Sequence, residues 1–213
     1  AFATACSSEE TRVDCASGLV RAVLAAEGEL ATFAWAWSAD GPEVAIERAN
    51  RGLEVDVGEA IEREKSFFRG LPAPNTSDHD LARAYYKCAS VMKVNCCSAQ
   101  GDIKLRWTTP DRWPHRWMWI WDSAFHAIGL SHFAPDWAED AIRAVLTTQR
   151  PNGFIPHMMA VKREHDSHII QPPILAWGSF RVYEKTQNLN FLAQVYPGIG
   201  RMIRYDCEEL NVE

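Results

Sequence analysis

The spacing of apolar residues changes near residue 40, from a strand-like alternation to a helical repeat. Residues 31–37 alternate small with large side chains, and turn-forming residues 38–42 follow directly. A period of two over such a short run predicts a half-buried β-strand. We therefore expect residues 1–42 to be the end of an N-terminal β-domain.

From residue 43 onwards the pattern predicts about five or six helices. Pro135 is typical of a helical first turn and precedes apolar residues at helical spacing. Residues 122–133 and 172–186 predict two helices that are apolar over most of their circumference, which favours enclosure by other helices. A last helix is predicted over 191–210. The mixture of enclosed and half-exposed helices indicates a double layer.

Another predicted helix begins near Ser77 and Asp80, whose spacing is that of a capping box. Cys88 lies on the apolar stripe behind it, so we expect this thiol to be buried. The sequence has six cysteines and no C-x-x-C pair, which disfavours a structural zinc site. Reduced thiols in a cytoplasmic protein are the simplest interpretation.

The charge of the chain narrows the possible partners. Its formal net charge is −6 and its apolar content is 47%, so it can bury a core but lacks the positive field that nucleic acids and anionic membranes require. Its uncharged runs are too short or too rich in proline to span a bilayer, and no signal peptide is visible. The first residue is not methionine, and the sequence stops after a helical pattern. We expect a piece of a longer polypeptide, whose remainder is a partner of this chain.

A tryptophan-rich segment is the most distinctive candidate for chemistry. Five of the nine tryptophans lie between Trp107 and Trp121, with two prolines among them, so much of the segment is expected to be loop. Indoles offered from a loop beside arginine and aspartate suit a sugar, which stacks its C–H face and hydrogen-bonds its hydroxyls. The alternative is that the indoles fill the core and Asp122 caps a helix. The pattern alone leaves both interpretations open.

Two further segments contain candidate polar groups. Residues 153–157 end in Pro156-His157, and Gln171 precedes two prolines that hold its backbone extended. Taken alone, each is better explained as a turn or a helix start. His165 and His168 lie beside acidic residues, but the metal-binding H-E-x-x-H motif is absent and the run is typical of a solvated loop. We expect no metal and no cofactor.

In this order, residues 114–129, 153–157 and 171–173 resemble bacterial members of glycoside hydrolase family 63 and, more distantly, family 37 trehalases and mannosylglycerate hydrolases. The resemblance implies an (α/α)6 barrel, a double-layered helical toroid, behind an N-terminal β-sandwich. We therefore expect a mainly α fold in which a β-sandwich remnant precedes residues 43–213. This longer part would comprise a linker helix and the first half of the barrel.

The resemblance also implies an inverting α-glycosidase acting on a small oligosaccharide or glycoside with an α-linked glucosyl or mannosyl group. Its general acid, an Asp, and its general base, a Glu, are expected beyond this chain, so no catalytic residue and no turnover are expected within it. Arg116 would brace the loop or reach the pocket rim. The residues implied to bind substrate in the −1 subsite half of the pocket are Trp119, Trp121, Asp122, His157, Gln171 and Arg116.

Two departures from the family pattern bear on the substrate. Trp117 replaces an acidic residue that would pair with Arg116, and Ile169 replaces an arginine that trehalases use to bind sugar, which argues against trehalose. Two alternatives stay open. One is a non-catalytic carbohydrate-binding or interaction protein, and the other is a helical-barrel sugar epimerase in which His126 or His157 does the acid–base work.

Overall fold

The computed structural model describes residues 2–6, 11–16, 19–24, 33–111 and 113–209, and the chain divides into two compact units, Ala1–Gly70 and Leu71–Glu213. The described helices are α1 (Pro42–Leu53), α2 (Val57–Arg69), α3 (His79–Asn95), α4 (Ile120–Leu130), α5 (Pro135–Thr147), α6 (Leu175–Thr186) and α7 (Leu189–Glu209). The described strands are β1 (Phe2–Cys6), β2 (Thr11–Ala16), β3 (Leu19–Leu24), β4 (Phe33–Trp37), β5 (Cys96–Cys97), β6 (Trp107–Thr108), β7 (Met118–Trp119) and β8 (Met158–Met159).

The first unit contains two antiparallel strand pairs, and α1 and α2. Strand β1 pairs with β4, placing Phe2 opposite Trp37, and β2 pairs with β3. Helix α1 lies against both β1 and β4. The side chains of β4 alternate between exposed and half-buried, as the period of two predicts. Residues 31 and 32 of the predicted strand lie outside the described residues, and the assignment of 1–42 to a β-domain stays a prediction.

Helix α2 begins at Asp56, whose carboxylate accepts a hydrogen bond from the Glu59 N–H at 2.8 Å. No residue of α2 is fully buried. Its apolar side chains, together with Phe33, line an open groove of about 450 Å³. The lining residues of this groove all belong to the first unit, whereas the six predicted substrate-binding residues all belong to the second.

Helix α3 corrects two expectations from the sequence. It begins at Asp78, whose carboxylate accepts from the N–H groups of Asp80 and Leu81, so Asp78 rather than Ser77 caps it. Cys88 is exposed, so its predicted burial is wrong. The apolar stripe of α3 is largely uncovered within the second unit, and the thiol shares that exposure. By contrast, burial raises the pKa of the Cys96 thiol to about 12, with a smaller contribution from the neighbouring Cys97.

The core of the second unit lies among α4, α5, α6 and α7. Helix α4 packs on α5 and α6, and α7 packs on α5 and α6. A Cβ atom added at Gly178 would lie 2.9 Å from that of Ala124, so glycine permits the close approach of α4 and α6. Helix α5 begins at Pro135, as predicted, and α7 continues through Pro197. The predicted end of α7 at residue 210 lies outside the described residues.

A polar network fixes α5 to the start of α7. Glu139 is only 5% exposed, and its carboxylate accepts hydrogen bonds from Arg143 at 2.8 Å and from the Asn188 side chain at 2.9 and 3.0 Å. The Asn188 side-chain oxygen Oδ1 in turn accepts from the Phe191 N–H and so caps α7. A carboxylate this buried is tolerated because all its partners are supplied.

Candidate functional site

Three chain segments meet at the N-terminal end of α4, and they are the three that carry the sequence motifs. Strand β7 pairs with β8, which places Trp119 opposite Met158. The Ile120 N–H then donates to the carbonyl of His157, and the His157 N–H donates to the carbonyl of Ile169. Main-chain hydrogen bonds therefore hold residues 118–120, 157–159 and 167–169 side by side.

Gly153 explains why the middle segment can take this path. Its φ is +102°, a value that L side chains rarely adopt, and an added Cβ would collide with the Arg201 carbonyl of α7. Gln149 stabilises the turn at Gly153, because its amide nitrogen donates to the carbonyls of Gly153 and Gly198. The glycine that begins the 153–157 motif thus has a specific steric role.

Trp119 lies between two histidines. Its ring centroid is 5.8 Å from that of His115 and 5.0 Å from that of His157, and both contacts are edge-to-face. The His115 Nδ1 lies 3.4 Å from the Asp111 carboxylate. Within the described part of the chain, the buried indole Nε1 of Trp119 has no hydrogen-bond partner. A buried donor without a partner is uncommon, and an ordered water or a bound group could satisfy it.

Gln171 is joined to α4 through its side chain. Its amide oxygen accepts a hydrogen bond from the Trp121 N–H at 2.9 Å, so it satisfies one of the free donors in the first turn of that helix. The sequence predicts that a stiff backbone orients the Gln171 amide. In the structure the oxygen of this amide is already hydrogen-bonded to the Trp121 N–H. The amide nitrogen carries the donors that a ligand could use.

Asp122 lies in the first turn of α4 but does not cap it, since the N-cap position belongs to Trp119. It is half-buried, one helical turn before His126. Burial lowers the pKa of His126, while the nearby Asp122 carboxylate opposes that shift. The site therefore contains a carboxylate next to an imidazole that favours its neutral form.

An aromatic row extends along the outside of α4, and sequence reasoning found only one of its members. The rings of Trp121 and Phe125 lie 6.1 Å apart, and Phe125 contacts Trp177 of α6 edge-to-face at 5.7 Å. These three side chains are 41%, 44% and 47% exposed. Phe125 is four residues after Trp121 on a helix, which could have indicated it, whereas no local signal indicates Trp177. Trp107, by contrast, is a core residue, at 2% exposure.

Arg116 does not join the other predicted residues through any described contact. Its guanidinium carbon lies 5.2 Å from the ring centre of Trp113 and 4.9 Å from that of Trp117. Trp117, which replaces an acidic residue of the family pattern, thus gives the cation an aromatic face in place of a carboxylate. Whether Arg116 braces the loop or reaches the pocket rim stays a prediction.

Two kinds of feature are absent from the described residues, a metal site and a membrane-spanning helix. These residues contain no group of three or more His, Cys, Asp or Glu side chains placed to hold a metal ion. Among the same residues, no helix combines the length and apolar character needed to cross a membrane. His165, one of the two histidines that invited a metal interpretation, contacts Glu164 at the surface.

Part of the chain is similar in sequence to a glycoside hydrolase domain. Residues 115–207 match the model of the mannosylglycerate hydrolase MGH1-like glycoside hydrolase domain. An uncharacterized protein of Saccharomyces cerevisiae, YMR196W, is 32% identical over 83 residues, which is 38% of this chain and 7% of that protein.

Among solved structures, the chain is similar to the family 63 mannosylglycerate hydrolase of Thermus thermophilus in complex with Tris. The TM-score is 0.50 at 22% identity, covering 57% of this chain and 32% of that one. The same hydrolase in complex with glucose gives a TM-score of 0.47 at 23% identity, covering 56% and 34%. The chain thus spans about a third of the length of this hydrolase.

These findings confirm a mainly helical fold like that of a family 63 mannosylglycerate hydrolase. Over residues 115–207 the sequence is similar to the mannosylglycerate hydrolase MGH1-like glycoside hydrolase domain. The matched residues include the end of the tryptophan-rich segment, the 153–157 motif and Gln171.

Proposed function

We propose that this chain supplies the −1 subsite half of the sugar pocket of an inverting glycoside hydrolase that acts on an α-linked glucosyl or mannosyl saccharide or glycoside. One observation carries the proposal. Main-chain hydrogen bonds hold the segments of Trp119 and His157 together at the start of α4, and the Gln171 side chain is bonded to the same helix turn. Asp122 lies in that turn.

The side chains gathered there suit a pyranose. An indole offers a flat apolar surface, and the Asp122 carboxylate can accept hydrogen bonds from sugar hydroxyls. The Gln171 amide nitrogen can donate to a sugar oxygen, because the described hydrogen bond of this side chain uses only its oxygen. Arg116 serves this site as a brace of the loop.

Inversion needs two carboxylates about 6.5–9.5 Å apart, one to protonate the leaving oxygen and one to activate water. Asp122 can supply only one carboxylate, and we assign it to binding. The general acid and general base then come from the rest of the polypeptide, which completes the (α/α)6 barrel. On this proposal the chain by itself binds sugar without turnover. Cys88 and Cys207, among the described cysteines, form no disulfide and are exposed, which supports a cytoplasmic location.

The test is a binding titration on the 213-residue chain, with glucose, mannose and their α-methyl glycosides as probes and tryptophan indole NMR signals as readout. The expected result is a saturable shift of a signal assigned to Trp119 by the variant Trp119→Phe. Asp122→Asn should weaken binding at least tenfold, since a charge-assisted hydrogen bond contributes about 1.5–3 kcal/mol. Asp136→Asn is the matched control, because Asp136 lies in the first turn of α5 and is exposed. Equal affinities for Asp122→Asn and wild type would refute the assignment.

Product analysis with the complete polypeptide distinguishes the three candidate functions. Release of a sugar with inverted anomeric configuration supports the hydrolase. Binding without any product supports the carbohydrate-binding alternative, and conversion to an epimer without hydrolysis supports the epimerase.

A further inference from the structure

His115 lies against Trp119, yet it is not among the six predicted substrate-binding residues. The centroids of the two rings are 5.8 Å apart, and the interplanar angle is 70°. His157, which is among the six, approaches the same indole in a similar way, at 5.0 Å and 75°. Two imidazoles therefore contact the indole that is proposed to bind sugar.

The two histidines differ in their exposure to solvent. The His115 side chain is 57% exposed, whereas His157 and Trp119 are half-buried. Main-chain hydrogen bonds join His157 to Ile120 and to Ile169, which holds it within the framework of the site. Of the three aromatic side chains in contact here, His115 is the one that lies nearest to the solvent.

The backbone that carries His115 is fixed although the side chain is exposed. The Thr109 hydroxyl lies 2.8 Å from the carbonyl oxygens of both Asp111 and His115, and Thr109 is only 2% exposed. Asn95, at the end of α3, donates from its side chain to the Pro110 carbonyl at 2.9 Å and accepts from the Thr109 N–H at 3.0 Å. A segment fixed in advance loses less conformational entropy when it binds a ligand.

The Asp111 carboxylate also restrains the imidazole ring of His115. One carboxylate oxygen accepts from the Trp113 N–H, and the other lies 3.4 Å from the His115 Nδ1. Among the hydrogen bonds of the described residues, none involves the His115 Nε2. This nitrogen can bond to a ligand as a donor or as an acceptor, according to its protonation.

We propose that His115 is a specificity-determining residue that contacts the part of the substrate beyond the −1 sugar, which is the leaving group of the hydrolysis. The inference rests on the proposed function and adds to it a contact outside the −1 subsite. The −1 sugar takes the half-buried groups Trp119 and His157, and its leaving group extends towards the solvent, where the His115 Nε2 hydrogen-bonds a hydroxyl. The preferred substrate is then a disaccharide or larger saccharide rather than the glycoside of a small alcohol.

The test compares two ligands on the 213-residue chain by NMR titration. One ligand is an α-methyl glycoside, and the other is the disaccharide with the same non-reducing sugar, which is maltose for glucose and an α-linked mannobiose for mannose. Wild type should bind the disaccharide more tightly. In His115→Ala this preference should fall about fivefold, the factor that corresponds to one hydrogen bond. A merely structural role of His115 would weaken both ligands alike and leave their ratio unchanged.

Two further variants serve as references. His157→Ala should weaken both ligands to the same extent, because His157 contacts the −1 sugar that they share. His132→Ala, at an exposed site after α4, is the control and should keep the wild-type preference. Circular dichroism shows whether each variant is folded. If His115→Ala is not folded, His115→Phe replaces it, because phenylalanine keeps a ring against Trp119 but has no ring nitrogen.

The possible outcomes separate this inference from the proposed function. The same preference in wild type and in the His115 variant would overturn the inference, and so would a wild type that binds the two ligands equally. In both cases the −1 subsite would stand, since the α-methyl glycoside still binds. A chain that binds neither ligand would refute the proposed function and the role of His115 with it.

Discussion

Replacing Gln171 with methionine separates its structural role from any role in sugar binding. Methionine keeps a side chain of similar length but removes the oxygen that accepts from the Trp121 N–H at 2.9 Å. Loss of a helix-capping acceptor costs about 0.5–2 kcal/mol. Because this N–H is exposed and water can replace part of the bond, we expect the free energy of unfolding to fall by about 1 kcal/mol.

Gln171→Glu should act in the opposite direction. A glutamate keeps the acceptor oxygen and adds a negative charge at the positive end of α4, which stabilises a helix by about 0.3–1 kcal/mol. The two variants should therefore differ by about 1.5 kcal/mol in the free energy of unfolding. Glutamate also removes the amide donors, so this more stable variant should bind sugar more weakly.

The assay is urea unfolding followed by tryptophan fluorescence. Seven of the nine tryptophans lie in the unit Leu71–Glu213, so the signal reports mainly on the unit that contains α4. Gln100→Met is the control, since the described hydrogen bonds of Gln100, to Ile103, use its main chain. Unfolding of Gln171→Met at the wild-type urea concentration would contradict the capping role of Gln171. Lower stability of Gln171→Glu than of Gln171→Met would contradict it too.

Two further predictions concern buried charge. Because burial lowers the pKa of His126, the unfolded chain takes up a proton near pH 6.5 that the folded chain binds only at lower pH. The free energy of unfolding should therefore fall as the pH drops from about 7.5 through 6.5. This pH dependence should be smaller in His126→Leu, and His132→Gln, at an exposed site, is the control that should keep it. Equal pH dependence in all three proteins would contradict the role of His126. For the α5–α7 network, Arg143→Met should lower the free energy of unfolding by about 2–3 kcal/mol, because it leaves the Glu139 carboxylate buried without its cation. The double variant Glu139→Leu/Arg143→Met should recover much of this loss, because it removes the buried carboxylate together with its cation. The free energies of unfolding of the single and double variants are measured by urea unfolding. If the losses of the two single variants simply add in the double variant, the buried charge is not the cause.

The parts of the fold that the sequence predicts are those set by local periodicity. The alternation around Trp35 predicts β4, and Pro135 predicts the start of α5, because both signals lie within one element. Cys88 shows the limit of this reasoning, since periodicity identifies an apolar stripe but does not say whether another element covers it. The strand and helix were predictable, whereas the burial of the stripe depended on long-range packing.

The candidate site also contains some residues that the local sequence predicts and some contacts that it does not. The ordered motifs identify Trp119 and His157, and the structure places their segments together. The bond from Gln171 to α4 joins residues 50 positions apart, and no local pattern encodes it. Trp177 was missed for the same reason, because it reaches the aromatic row only through the packing of α6 on α4.

The main-chain bonds between β7, β8 and the Ile169 segment have a consequence for how this site can change. Most of the framework is built from N–H and carbonyl groups, which every residue except proline supplies in full. If the proposed function holds, substitutions at positions 119 and 157 should therefore alter which sugar is recognised while the loops keep their places. Position 171 is different, because there the side chain is part of the framework. A family that diversifies its substrates should vary the first two positions more freely than the third.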